Sequence, residues 1–504
     1  MVKSSDFQAI KECLEPLNVC NRCILRFFGM KEYTSYVTKS SIKKTFQQLL
    51  DEKICELPAA KHETEDLVAS EEEICPPHKK HHFLPCAACL GILQESCDDM
   101  LAKVEEASAK SGHEFDDFVL QLSFPVVLDL RDRLFHLYLQ EQLKDSYTIL
   151  CSEIPSVKDV WKWVIGSQLG KITKTDFTPC SNFQISLLVT YPDTAKECFK
   201  LFQKCPEAFP NRKKRKATEE EIYTRAAILK AVELVSSEIN SLFTFPPSPP
   251  DKTCIFHDIL CTRSPLYLGG RYNKYSRELS QTPWIVDGER RMDSSVNELI
   301  TDVVQRRICA DKIVFSASGR EDVDVKMLGN GRPFVLEILN PRRIKLSDAE
   351  MKDIENEINA STDSIAVKDL QIITKQDTLL LKEGEEQKRK TYSAICIVKK
   401  TLSQNDIDKL LLLKDLKIQQ KTPIRVLHRR NLATRERLLH SIDAKLLDSH
   451  LLHLKLETQA GTYVKEFVHG DFGRTLPNLG MLLDTEADIL ELDVECIHLD
   501  WPPK

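Results

Sequence analysis

No uninterrupted apolar run in the chain approaches the roughly 18 residues that a membrane helix needs, so no membrane partner is expected. The opening stretch MVKSSDFQAIKECLEPL lacks the basic, apolar and small-residue zones of a secretory signal. The expectation is a protein of the nucleus and cytoplasm. There is no internal repeat of fixed period. A general excess of positive charge is also missing: the net charge of −6 argues at first against a nucleic-acid partner. The seventeen cysteines are odd in number and spread over 504 residues, which disfavours a disulfide scaffold and favours reduced thiols, some of them candidate metal ligands.

What is present is ordinary for a soluble globular chain, 42% hydrophobic and 29% charged, with length for two to four domains. The mean charge hides a contrast. Residues 371–440 hold sixteen Lys and Arg against eight Asp and Glu, whereas residues 481–500 hold seven acids and no Lys or Arg. One face can therefore attract an anion while the whole stays acidic.

Up to about residue 95 the chain carries CNRC, with Cys20 and Cys23, and CAAC, with Cys86 and Cys89, around an acidic insertion at 51–75. Residues 96–245 alternate amphipathic helices (DDMLAKVEEASAKSG, EEEIYTRAAILKAVELVSSEI) with strand candidates (FVLQLSF, FQISLLVTY), an α+β pattern. FPPSPPDK at 245–252 is the clearest breaker. GGRYNKYSRELSQTPW reads as a second connection. Beyond it, a helix capped by Ser294 precedes the strand KIVFSAS, then a strand from Val323 (VDVKML), a GNG hairpin and the strand RPFVLEIL. Further strands are expected at SIAVKDLQII, TYSAICIV, LHLKLETQ and ILELDVECIHL, with helices at SDAEMKDIENEINA and LSQNDIDKLLLL. This order suggests one large sheet with helices on a face.

Two Cys-x-x-Cys pairs can close a tetrahedral zinc site, although 62 residues separate them here in place of the usual roughly 15–20. His78, His81 and His82 are rival ligands, and a redox dithiol is disfavoured because neither pair follows a strand in a βαβ pattern. The run NRKKRK at 211–216 reads equally as solvated linker or as a nuclear-import or RNA-contacting patch. In KTPIRVLHRRNLATRER, 421–437, six cations (Lys421, Arg425, Arg429, Arg430, Arg435, Arg437) surround apolar residues, a pattern suited to a phosphate backbone. A plain charged strand pair is the bland alternative. The segment FSASGREDVDVKMLGNGRPF packs Glu321, Asp322 and Asp324 between Arg320 and Lys326. On composition, a divalent-metal site on Asp322 and Asp324, a solvated turn and a single nucleophile all remain open.

GRED followed by VDV resembles the turn around the catalytic aspartate of pseudouridine synthases, Gly-Arg-Thr-Asp in the TruA group. Downstream, KTYSAICIV resembles the strand carrying the active-site tyrosine, and GTYVKEFVHGDFGRT the Gly-Thr-Tyr-Ile-Arg helix start of the TruB group. With GGRYNKYSRELSQTPWIVDGER ahead and the paired CxxC motifs in front, essentially the whole chain is similar to the tRNA pseudouridine synthase 10 family.

The resemblance implies a C-terminal pseudouridine synthase fold over 267–504, a mixed, mainly antiparallel sheet with flanking helices. It also implies an accessory module with a zinc part (1–95) and a THUMP-like RNA-binding part (96–266). The implied reaction is cofactor-free isomerisation of uridine in the T-loop of tRNA, at position 55 with 54 as a further target, by a monomer that could also meet other structured RNA. Carried over by motif, Asp322 is the nucleophile, Tyr392 stacks on the base and Lys465 pairs with Asp322. Lys465 and Phe467 stand where the family usually has Arg and Leu. Loops 421–437 and 282–295 correspond to thumb and forefinger loops, placing Lys421, Arg425, Arg429, Arg430, Arg435 and Arg290 on RNA, with Arg320 of the aspartate turn a further phosphate contact; Cys20, Cys23, Cys86 and Cys89 hold one structural zinc. A non-catalytic RNA-binding adaptor and a metal-dependent glycosyltransferase are the alternatives from other classes.

Overall fold

A computed structural model describes residues 4–50, 84–94, 96–209, 222–236, 238–428 and 430–503. The insertion at 51–75, His78, His81, His82, the run at 211–216 and Arg429 lie outside the described residues. The chain forms two compact units, Met1–Thr262 and Arg263–Lys504.

In the first unit a small sheet runs β2 (Asp176–Phe177), β1 (Asp117–Ser123), β3 (Phe183–Thr190), β4 (Ile255–Phe256), with β5 (Leu260–Arg263) also on β3. β1 and β3 pair in parallel. Their alternate residues, Phe118, Leu120 and Leu122 with Phe183, Ile185, Leu187 and Val189, are buried, as a one-sided strand pattern requires. Helices Val127–Leu143 and Val157–Thr173 contribute Leu134, Phe135, Trp161 and Ile165 to the same core. Ser156 and Asp159 form a reciprocal cap on the second helix, which satisfies two of its free N–H groups. The segment Cys86–Leu93 belongs to this core as well, so residues on both sides of 95 share one interior.

The second unit is built on a ten-stranded sheet in the order β11 (Ile365–Ile373), β6 (Leu266–Lys274), β10 (Lys326–Leu339), β17 (Ala487–Ile497), β12 (Lys390–Val398), β15 (Leu451–Thr458), β14 (Thr434–Asp448), β13 (Lys414–Lys421), β16 (Thr475–Leu476), with β9 (Lys312–Ala317) on β10. Its pairings are antiparallel except for β10 with β17, so the chain is mixed α+β. Helices Val296–Ile308 and Asp348–Ser361 pack on the β9 and β11 side, and Gln404–Leu411 on β14.

Four local expectations change. GGRYNK is not a connection but the last six residues of β6, between β10 and β11, although Arg271, Asn273 and Lys274 are polar. The GNG triplet makes no hairpin: β10 runs through it, and its register to β6 jumps between Met327 and Arg332, a bulge in which Gly329 (φ +54°) and Gly331 (φ +73°) take conformations that other residues resist. The cap of Val296–Ile308 is Ser295, whose hydroxyl accepts from the Glu298 N–H at 3.3 Å, and not Ser294. Residues 322–325 form a turn, and the strand starts only at Lys326, so Asp322 and Asp324 do not share a strand face.

Candidate active site and metal centre

Between the end of β9 and the start of β10 the chain turns through residues 318–325, with Gly319 at φ +87°. The three acids of this turn point to three environments. Glu321 faces inward, with a wholly buried side chain that accepts from Arg332 Nε (2.7 Å) and the Tyr272 hydroxyl (2.8 Å). Arg332 also donates to the Ser318 carbonyl at 2.6 Å, and Gln281 Nε2 donates to the Tyr272 hydroxyl (2.8 Å) and the Gly319 carbonyl (3.0 Å). Buried Lys274 donates to the carbonyls of Leu279 (2.8 Å), Val323 (2.7 Å) and Asp322 (3.2 Å); burial lowers its pKa to about 8. The turn is thus pinned from beneath by two cations and a carboxylate, which fixes its backbone and frees its outward side chains. Removing one member of a buried ion pair leaves the other unpaired, so Arg332→Ala is expected to lower unfolding free energy by about 3–5 kcal/mol. Urea denaturation reads this directly, and a loss below about 1 kcal/mol would show that the pair does not hold the turn.

Asp322 faces a cleft of about 1110 Å³ lined by eight Lys and Arg but only two acids. Arg425, on the 3₁₀ turn Ile424–Val426, places Nη1 at 3.0 and 3.3 Å from the two carboxylate oxygens of Asp322. Its Nε donates to Glu466 at 2.7 Å, and Glu466 is buried, so the guanidinium is held from behind. Lys465, in the helix Val464–His469, lies 3.5 Å from Asp322 but 2.7 Å from Asp324. Burial pushes the Asp324 carboxyl up and the Lys465 ammonium outweighs it, leaving Asp324 below the usual carboxylate range. Half-buried Tyr392, on β12 opposite Val494 of β17, lines the same cleft, and burial raises its hydroxyl pKa.

Strands far apart in sequence therefore bring together Asp322, Tyr392, Lys465, Arg320, Arg425, Arg430 and Arg435 around one cleft. Lys421, at the end of β13, and Arg290, in the hairpin of β7 (Ile285–Val286) and β8 (Glu289–Arg290), do not line it; Arg290 is engaged with Glu298 at 2.8 Å. Arg425, expected on RNA, takes the closer place beside Asp322, and Lys465 divides itself between two acids. Sequence reasoning did not find Tyr272, Lys274, Gln281, Arg332 or Glu466; for the first three the available signal was the density of polar residues in GGRYNKYSRELSQ.

In the first unit the sulfurs of Cys20, Cys23, Cys86 and Cys89 all lie within 4.8 Å of one another. Cys20 and Cys89 are 3.8 Å apart, the edge of a tetrahedron whose centre is about 2.3 Å from each sulfur. Backbone N–H groups of Cys20 (3.2 Å) and Cys89 (3.5 Å) point at Cys86 Sγ, the Leu93 N–H at Cys89 Sγ (3.4 Å), and Arg26 Nη1 at Cys23 Sγ (3.4 Å). Such donors suit thiolates. Burial pushes the thiols of Cys23 and Cys89 well up, so a cation is what would let these sulfurs ionise together; the four residues could hold a metal ion.

A family model described as "Pus10, C-terminal" matches residues 267–498, and one described as "Eukaryotic Pus10, N-terminal" matches residues 86–261. The chain is 41% identical to a mouse protein named tRNA pseudouridine synthase Pus10, over 98% of this chain and 97% of that one. Identity to the human protein of the same name is 40%, again over 98% and 97%. It is 38% to a Pyrococcus furiosus protein of that name, over 46% and 59%. A solved Cbf5-Nop10-Gar1 complex is similar at 14% identity and a TM-score of 0.26, over 45% of this chain and 48% of that one, too low a likeness to bear on the fold.

Proposed function

Since the chain belongs to the Pus10 family of tRNA pseudouridine synthases and is an isomerase of that class, we propose that it converts uridine to pseudouridine in the T-loop of tRNA. Position 55 is the proposed target and 54 a further one. The observation that carries this reading is Asp322, half-exposed in a basic cleft and flanked by the cations of Arg425 and Lys465.

Asp322 is the proposed nucleophile. Isomerisation breaks the N1–C1′ bond and makes a C5–C1′ bond, and the hydrogen lost from C5 is balanced by the one gained at N1. No oxidant, reductant or co-substrate is consumed, which supports a cofactor-free reaction. An ionised carboxylate can hold the fragments covalently while the base turns. Arg425 and Lys465 place two opposite charges beside it, which offset the cost of taking a carboxylate charge out of water. A stacked uridine has to leave its loop to reach that carboxylate, and Tyr392 offers an aromatic face in place of the lost stacking. Arg320, Arg430 and Arg435 supply the positive field for the backbone.

The glycosyltransferase alternative loses ground because an ammonium already sits against both Asp322 and Asp324. For Cys20, Cys23, Cys86 and Cys89 we assign a structural Zn²⁺, closed to water and remote in role from the chemistry. The first unit is read as the accessory RNA-binding module, THUMP-like in its sheet-bearing part. The test is pseudouridine mapping on unmodified tRNA: product at position 55 is expected, and its absence from both 54 and 55 sinks the assignment.

A further inference from the structure

Immediately after the helix carrying Lys465, the backbone holds four successive residues in the left-handed region: Gly470 (φ +76°), Asp471 (+46°), Phe472 (+55°) and Gly473 (+80°). Glycine adopts this conformation freely, but a bulky side chain resists it. Phe472 is nonetheless 96% exposed, so it contributes almost nothing to the core. Glycine would serve the turn better, and a polar residue would suit the solvent better.

The turn is fastened on several sides. The Asp471 N–H donates to His469 Nδ1 (3.1 Å), and Asp471 Oδ2 accepts from the Ile424 N–H (3.2 Å). Arg474 Nη2 donates to the Thr422 carbonyl (2.6 Å), and the Lys421 N–H to the Arg474 carbonyl (2.9 Å). A side-chain carbon at Gly470 would lie 2.5 Å from Asn478, so the close packing beneath the turn is fixed as well. Strained backbone of this kind persists where its surroundings over-determine it, and such places cluster at ligand clamps. The fastening partner, Ile424, directly precedes Arg425, which touches Asp322. Around it Ile424, Leu427 and Leu432 are exposed apolar residues interleaved with the cations of 421–437, while Arg435 donates to Thr422 at 3.1 Å.

An exposed ring on a rigid mount, whose neighbour Asp471 is hydrogen-bonded to the residue preceding Arg425 of the cleft, has the chemistry of a single-strand stacking platform. We propose that Phe472 stacks on an unpaired nucleobase of the RNA substrate, outside the reacting pocket, and so helps set the register in which a loop nucleotide enters the cleft. This rests on the reading of the substrate as RNA given above, and it adds a base-binding site outside the residues assigned there.

The test compares wild type, Phe472→Ala, Phe472→Gly and Phe472→Tyr in binding an unmodified tRNA transcript across a salt series, with pseudouridine formation measured separately. Phe472→Ala and Phe472→Gly are expected to raise Kd about ten-fold, with an unchanged slope of log K against log salt, because a stacking contact releases no counterions. Phe472→Tyr should restore affinity, and Phe472→Gly should melt at or above the wild-type temperature. Arg430→Ala should instead flatten the salt slope. Unaltered Kd in both Phe472→Ala and Phe472→Gly, or failure of Phe472→Tyr to restore it, overturns the platform. If pseudouridine forms while Kd stays unaltered, the platform alone falls. If affinity drops as expected but wild type makes no pseudouridine, the platform stands and the reaction falls. A wild type that does not bind tRNA removes both.

Discussion

Asp322→Asn is expected to lower pseudouridine formation on unmodified tRNA by about four orders of magnitude or more, the scale seen when a covalent nucleophile is removed. The amide keeps the shape of the side chain and its place in the turn but can neither carry the charge nor form a stable bond to the substrate. Binding should survive, because the cations lining the cleft remain, and loss of a negative charge favours a polyanion. Folding should survive as well. Asp322 is 37% exposed and its pairs with Arg425 and Lys465 sit at the cleft surface, so the change in stability should stay within about 1 kcal/mol. This combination separates a chemical role from a structural one: single-turnover kinetics should collapse while tRNA affinity and the urea midpoint hold. Wild-type rates in the Asn variant would remove Asp322 as nucleophile.

Replacing Cys86 by Ser should produce the largest stability change in the molecule. Its sulfur is fully buried and accepts from the N–H groups of Cys20 and Cys89, so it organises the backbone of both Cys-x-x-Cys turns as well as offering a ligand. Metal binding to a four-sulfur site contributes directly to folding free energy, on the order of 10 kcal/mol in small zinc peptides. The first unit has its own core of aromatic and aliphatic residues and will not depend on the ion entirely. A fall of about 10 °C or more in its thermal midpoint, with loss of about one equivalent of zinc, is the expected result. Calorimetry with elemental analysis measures both. Full zinc retention in Cys86→Ser would assign the ion to other ligands, with His78, His81 and His82 the first to examine.

Short-range chemistry was legible in the sequence and long-range compensation was not. The Cys-x-x-Cys pairs were readable because two thiols on one turn have few other uses, and the four sulfurs do come together. The turn at Gly319 was readable from its glycine and its run of charge. β6 was not readable, since a central strand containing Arg271, Asn273 and Lys274 violates the rule that interiors are apolar. Those side chains are satisfied by partners that no local window reveals: the carbonyls of Asn330, Gly331 and Asp322, among others. The GNG triplet misled for the opposite reason, because its glycines signal a left-handed backbone without saying whether the strand reverses or merely bulges. Arg425 was marked as a phosphate ligand by its basic neighbourhood. Only folding could show that the turn 424–426, held by Asp471 and Glu466, carries it to Asp322.

The buried guanidinium of Arg271 has a kinetic consequence. It donates to the carbonyls of Leu499 (3.0 Å) and Trp501 (2.6 Å), more than 220 positions along the chain, and the ring of Trp501 lies where a side chain at Gly269 would go. Tyr272, the next residue on the same strand, holds Glu321 beneath Asp322. During synthesis this strand emerges early, with its polar groups lacking their final acceptors, and the segment that supplies them leaves the ribosome more than two hundred residues later. Contacts of such sequence separation form late, so the turn that carries Asp322 acquires its full support only after translation has passed residue 501. A nascent chain can assemble its cysteine cluster long before the cleft around Asp322 is complete.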